Sequence, residues 1–208
     1  AASAALAMNA APAQQPAGTG RLRQSVCRWC YKKLSIDELA DACVNLKLPA
    51  LDLVPPEEWP ALKARGLVCS MTPAQPPHGI ERGLNRPEHH SAHLEALRKA
   101  IHLTSEAGFP NVICFSGNRG GQPDDEGLRH CADALKQVMA LAEEKKITVC
   151  MELLNSKLNH KDYMADHTAW GVQLVQRVGS ERFKLLYDIY HMQIMEGDVI
   201  ATLRGALP

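Results

Sequence analysis

Two spacings alternate along this chain. Short apolar runs with strand character, at residues 25–31, 50–53, 67–71, 111–116, 147–152 and 183–188, are each followed by a stretch in which apolar residues recur at helical intervals. The first helix is announced by Ser35 and Glu38, spaced as a capping box and flanked by Leu34 and Leu39 as a hydrophobic staple, and should run to about Leu46. Pro55 and Pro56 open a short helix that Gly66 stops. Leu94, Leu97 and Ile101 mark one face of a helix over residues 87–107. Leu128, Cys131, Leu135, Val138 and Met139 mark the next, ending at Lys145 and Lys146, whose charges suit the C-terminal end of the helix dipole. Trp170, Leu174, Val175 and Val178 define another, closed by Gly179, and a short last segment spans residues 197–207. Residues 72–90, rich in Pro and Gly, form the longest loop and a candidate rim or lid.

Six strand–helix units in a row predict an α/β fold with a parallel sheet. At roughly 31 residues per unit the length allows about six of the eight units of a (β/α)8 TIM barrel, so residues 21–208 read as a partial barrel domain from a longer protein. An open doubly wound sheet also satisfies the alternation, but no GxGxxG follows the first strand. A barrel cut at this point exposes two sheet edges and apolar helix faces. Poor solubility, or pairing with another chain as in a homo-oligomer, is therefore expected.

Residues 1–20 are rich in Ala, carry no charge and change abruptly to Arg21 and Arg23, which predicts a disordered leader outside the fold. Its Ala-Pro-Ala at 11–13 resembles the small-residue cleavage region of an export signal, leaving periplasmic and cytoplasmic residence both open. No apolar run approaches the ~20 residues needed to span a bilayer. With 23 basic against 23 acidic residues, no global field favours nucleic acid or an anionic membrane, and a small ligand fits better. The seven cysteines are odd in number and mostly lie in apolar runs, as buried thiols do. Cys27 and Cys30 form a CxxC, but residues three apart on a strand face opposite ways, so the pair can chelate or bridge only where the strand breaks.

The candidate chemistry gathers between residues 147 and 198. Glu152 ends one apolar run, Asp188 ends the next, and His191 follows three residues later. Parallel strands deliver such residues to a shared crevice at their C-terminal rim. A carboxylate there can hold a divalent cation or take a proton from the carbon beside a carbonyl. Alternation puts Cys150 and Glu152 on the inner face, with Val149 and Met151 turned to the helices. Each acid alone reads more plainly as a loop cap, and the pair is what points to a site. His191 serves as a ligand, a proton shuttle or a donor to a substrate oxygen. His160 and His167 lie in a loop able to reach the mouth, whereas His89, His90 and His93 read as a solvated helix face. The loop from Gly117 to Gly121 offers backbone N–H groups and Arg119 to an anion, but as a strand-to-helix turn it needs no ligand.

The block from Met151 to Asp198, with DIYHMQ and the Glu-x-x-Asn that precedes it, resembles hydroxypyruvate isomerases and their sugar isomerase/epimerase relatives among the xylose-isomerase-like TIM barrels. Fainter similarity covers nearly everything after the leader. The resemblance implies that Glu152 binds a divalent metal, Mn²⁺ or Mg²⁺, and acts as one of two acid/base carboxylates. Asp188 is implied as a metal ligand, and His191 as a contact to the substrate oxygen. The implied reaction moves a proton between adjacent carbons of a hydroxy-carbonyl substrate, hydroxypyruvate or a ketose, through an enediolate. That family draws its third ligand and its second glutamate from strands seven and eight, beyond these six units. The 208 residues alone are thus expected to be inactive, and the full-length parent an isomerase. Two other readings remain: a secreted barrel that binds a sugar or partner without turnover, and, more weakly, an endonuclease IV-like DNA-repair barrel, which needs a multinuclear zinc cluster and a basic groove.

Overall fold

A computed structural model of the protein describes residues 22–75 and 79–206. The leader and its candidate cleavage region lie outside the described residues. The six expected strands are present as β1 (Ser25–Cys27), β2 (Ala50–Asp52), β3 (Val68–Met71), β4 (Asn111–Cys114), β5 (Thr148–Glu152) and β6 (Phe183–Leu186). β1, β2 and β3 pair in parallel in that order, as do β4, β5 and β6. A parallel bridge between Thr72 and Val112 joins the two groups, with Thr72 N–H donating to Asn111 O and Ile113 N–H to Thr72 O. The strands therefore follow one another in chain order, as the first six of a (β/α) barrel do.

Helices separate the strands: α1 (Ile36–Asn45), α2 (Trp59–Lys63), α3 (Pro87–Ala107), α4 (Asp124–Lys145), α5 (Thr168–Val178), α6 (Ile189–Met195) and α7 (Val199–Ala206). The capping box forms as its spacing implies, Ser35 Oγ accepting from Glu38 N–H and the Glu38 carboxylate from Ser35 N–H. Gly108 and Gly179 end α3 and α5 in the left-handed conformation, where a Cβ is unfavourable.

Period-two alternation divides the sheet as expected. Val112, Val149, Met151 and Phe183 join α3, α4 and α5 in the larger apolar core. Ile113 and Cys150, paired across β4 and β5, are buried but stand outside that cluster, on the interior face that Glu152 shares. A second core, built on Leu51, Leu62, Cys69, Trp59 and Phe109, supports β1–β3. Among the described residues no helix is long and apolar enough to cross a membrane.

Two local readings need correction, and one site residue is now given its element. β1 stops at Cys27, and residues 28–31 turn into a 3₁₀ helix instead of extending the strand. His191 lies in a helix, because Asp188 caps α6 by accepting from His191 N–H at 2.9 Å. His90 and His93 are no solvated face: His93 is buried and bonded to Arg82 O, and His90 Nε2 meets Leu84 O at 2.8 Å. Together they tie the loop before α3 to the helix.

Candidate metal and acid/base site

Parallel pairing sets Glu152, the last residue of β5, opposite Leu186, the last of β6, so the next turn brings Asp188 alongside. One ligand atom each from Glu152, Asp188 and His191 lie within 4.8 Å of one another. All three residues singled out in the sequence are thus brought together.

The Glu152 carboxyl is pushed up from its ordinary 4.5 to about 7, first by burial and then by the negative charge of Asp188. Neither cause involves a hydrogen bond, and among the described residues no donor reaches its carboxylate oxygens; the Tyr163 hydroxyl donates instead to the Glu152 backbone carbonyl at 3.0 Å. Two adjacent acids, one half-buried and without a donor, repel each other unless a proton or a cation is present. That is the observation by which a divalent metal fits these residues. Asp188 caps α6 through Oδ1, and a carboxylate has lone pairs enough to cap and to ligate.

His191 is held in one tautomer by Asn155, a fully buried residue three positions after Glu152. The Asn155 side-chain Oδ1 accepts from the backbone N–H groups of Leu158 and Asn159, at 3.0 and 2.9 Å, which fixes the orientation of the amide. Its Nδ2 must then be the atom facing Asn159 Oδ1, at 2.8 Å, and His191 Nδ1, at 2.6 Å. A donor at Nδ1 leaves the proton of the neutral ring on Nε2. Burial, followed by the opposing pull of Asp188 and the repulsion of His160, leaves the His191 pKa below its ordinary value, so the ring is neutral. A neutral ring with Nε2–H is a hydrogen-bond donor, chemically distinct from the two carboxylates beside it.

His160 also arrives at the site, its ring centroid 5.3 Å from that of His191. His167 does not; it precedes α5 and pairs with Asp166 at 2.7 Å. The Gly117 loop is no anion cradle. Arg119 N–H donates to Asp162 O and Gly120 N–H to the Asp162 carboxylate, while the Arg119 guanidinium binds Asp124 and Asp166. Burial works to raise the Asp166 carboxyl, but hydrogen bonds from Arg119, Ser156 and His167 outweigh it and hold it below its ordinary value. This buried knot fastens the loop after β5 to the loop after β4. Tyr163 does the same, accepting from Ser116 N–H while donating to β5. Asn155, Tyr163 and Asp166 escaped the pattern because a polar loop residue announces nothing about burial; only the Glu-x-x-Asn spacing offered a signal for Asn155.

Hydroxypyruvate isomerase of Escherichia coli (strain K12) is 25% identical over 172 residues, covering 81% of this chain and 59% of its own. A Homo sapiens protein provisionally given the same name is 26% identical over 155 residues, covering 68% of this chain and 53% of its own. The chain thus spans little more than half the length of these relatives. Among solved structures, an AP endonuclease family 2 protein from Brucella melitensis superposes with a TM-score of 0.76 at 20% identity, covering 89% of this chain and 77% of that one. At that identity the likeness concerns the fold alone. A family model described as a xylose isomerase-like TIM barrel matches residues 37–207, and the chain belongs to that family.

Proposed function

We propose that the protein is a metal-dependent isomerase or epimerase that moves a proton between adjacent carbons of a small hydroxy-carbonyl compound, hydroxypyruvate or a ketose, through an enediolate. One observation carries the reading: a half-buried, donor-free Glu152 beside Asp188 and the neutral His191, at the C-terminal ends of two adjacent parallel strands. In the metal-free site burial and the charge of Asp188 lift the Glu152 carboxyl to about 7, so it is poised to take up a proton or a cation. Glu152 takes the proton from the substrate carbon, and the Nε2–H of His191 donates to the substrate oxygen on which charge develops. Glu152 and Asp188 would hold the Mn²⁺ or Mg²⁺. When bound, such an ion supplies Lewis-acid stabilisation of the enediolate and removes the repulsion between the two acids.

The names of the hydroxypyruvate isomerase relatives support the substrate class. A D-psicose 3-epimerase from Clostridium cellulolyticum H10 solved with D-tagatose shares the fold, at a TM-score of 0.72 and 13% identity. The candidate trio contains a single histidine, and the chain's charge is balanced, which favours a sugar-sized substrate over DNA. The test is Mn²⁺-dependent exchange of solvent deuterium into hydroxypyruvate and a panel of ketoses, using full-length protein. Exchange that disappears with chelator is the expected result. No exchange into any member of the panel would replace this reading with a non-catalytic sugar- or partner-binding barrel. The 208 residues alone, with one of the two proton-transfer glutamates that the family resemblance implies, are expected to be inactive.

A further inference from the structure

Cys27 and Cys30 meet the condition under which a CxxC can act. β1 ends at Cys27, which precedes the 3₁₀ turn over Arg28–Tyr31 as its N-cap. Cys27 keeps extended backbone and the chain turns immediately after it, so Cys30 no longer lies on the opposite face as it would on a continuing strand. A chain that turns within four residues brings its outer Cα atoms within about 7 Å, which overlaps the roughly 4.4–6.8 Å that a disulfide spans. Both thiols are free, and they lie near enough to interact with each other. The turn is anchored from beneath, the Arg28 guanidinium clasping the Glu58 carboxylate at 2.7 and 3.0 Å.

The two thiols are also set apart from the rest. Cys43, Cys69, Cys114, Cys131 and Cys150 are buried, whereas Cys30 is exposed and Cys27 half-buried. Cys27 pairs with Asp52 across β1 and β2, which puts the motif at the strand-end rim, and the turn between the cysteines carries the exposed Trp29. Only one group of three or more metal-ligating side chains is found among the described residues, and it lies elsewhere. Two sulfurs without further ligands suit a disulfide better than a metal centre.

We propose that Cys27 and Cys30 form a reversible dithiol–disulfide site at the rim of the barrel, oxidised by small-molecule disulfides. The exposed Cys30 thiolate attacks one sulfur of the small disulfide, forming a mixed disulfide and releasing one thiolate. Cys27 then gives its proton to solvent and attacks the Cys30 sulfur, closing the intramolecular disulfide and releasing the second thiolate. In sum, two cysteine thiols are oxidised and one small disulfide is reduced to two thiols. Burial, with smaller contributions from Cys30 and Asp52, pushes the Cys27 thiol up to about 12, so Cys30 is the point of entry.

Oxidised glutathione is the probe, with intact mass, peptide mapping and maleimide labelling of the native protein as readouts. The expected result is a loss of two hydrogens with no adduct, mapped to residues 27 and 30, together with loss of maleimide uptake at both positions and full recovery with dithiothreitol. Cys27→Ser should stop at a stable glutathione adduct on Cys30, and Cys30→Ser should form any adduct at least ten times more slowly. A wild-type protein that keeps the adduct as Cys27→Ser does, or that keeps both thiols open to maleimide in excess oxidised glutathione, would overturn the proposal. The wild-type measurement decides this even if a variant folds poorly, and none of the readouts depends on isomerase activity.

Discussion

Each half of the sheet ends a strand in an acid, and the two acids are treated oppositely. Asp52, at the end of β2, receives hydrogen bonds from the hydroxyls of Ser25 on β1 and Ser70 on β3. Glu152, at the end of β5, receives none from the described residues and is set beside a second acid. Sequence position is the same; partnership differs. A carboxylate supplied with donors is at rest and stitches its strands together, whereas one denied donors in a half-buried place holds free energy that a proton, a cation or a substrate can release.

The comparison is tested hardest at Glu152. In full-length protein, Glu152→Gln should lower turnover by about 10²–10⁴-fold, the usual contribution of a positioned acid/base group. The same change should make the metal-free fold more stable at high pH. Between about 4.5 and about 7 the folded chain keeps a proton on Glu152 that the unfolded chain has released, so wild-type stability falls as pH rises through that window and levels off above it. Glutamine has no proton to lose. Denaturant melts in chelator should show Glu152→Gln gaining on wild type by up to about 3 kcal/mol at pH 8, from the shift of 4.5 to about 7, and nothing below pH 4.5. A constant difference across that range would mean that Glu152 is not the strained acid.

Asp188 separates capping from ligation, because asparagine preserves an N-cap while removing the charge. Asp188→Asn should keep the cap and, in chelator, match wild type below pH 4.5 while gaining somewhat on it at pH 8, where the repulsion of Glu152 is gone. Wild type at about 100 times its Kd for Mn²⁺ should gain about 2.7 kcal/mol, and the variant should lose most of that gain. Equal Mn²⁺ stabilisation of both proteins would leave Asp188 as a helix cap and nothing more.

Asn155 sharpens the picture further. Its amide satisfies two backbone N–H groups and His191 Nδ1 from a fully buried position. Asn155→Ala should cost about 1–3 kcal/mol through the buried groups it strands. Asn155→Asp, when ionised, offers His191 an acceptor, and should move the ring proton from Nε2 to Nδ1. Nitrogen NMR of labelled histidine in the metal-free protein reads that switch directly, and an unchanged tautomer would remove Asn155 from its positioning role.

Much of this was legible from spacing. The capping box, the α3 boundaries at Pro87 and Ala107 and the acid at the end of β5 all follow from local rules about caps and alternation. Where the reading failed, tertiary contacts overrode local signals. Cys27 to Tyr31 looks like a strand by composition, yet Arg28 turns away to reach Glu58, thirty residues on. His93 looks solvated beside a polar loop, yet that loop folds back over it and its ring bonds Arg82 O. Glu152 stood out from Asp52 only through its pairing with Asp188 and His191; the hydroxyls of Ser25 and Ser70 that hold Asp52 lie on neighbouring strands and left no local signal.

The smallest effect belongs to Asp52, and it closes the comparison. Asp52→Asn keeps one acceptor oxygen and removes the charge, so one of the two serine hydroxyls loses its carboxylate partner. Hydrogen bonds to a charged acceptor contribute roughly 1.5–3 kcal/mol in buried settings, but the Ser25 bond is exposed and Ser70 also bonds Leu51 O, so about 1 kcal/mol or less is expected. Because Asp52 already has its donors, removing its charge should bring no gain in stability of the kind expected at Glu152, and Mn²⁺ stabilisation should be unchanged. If Asp52→Asn instead raised stability at pH 8, or abolished the Mn²⁺ effect, its hydroxyl partners would not be holding it at rest, and the contrast between the two strand ends would fail on the side that looks secure.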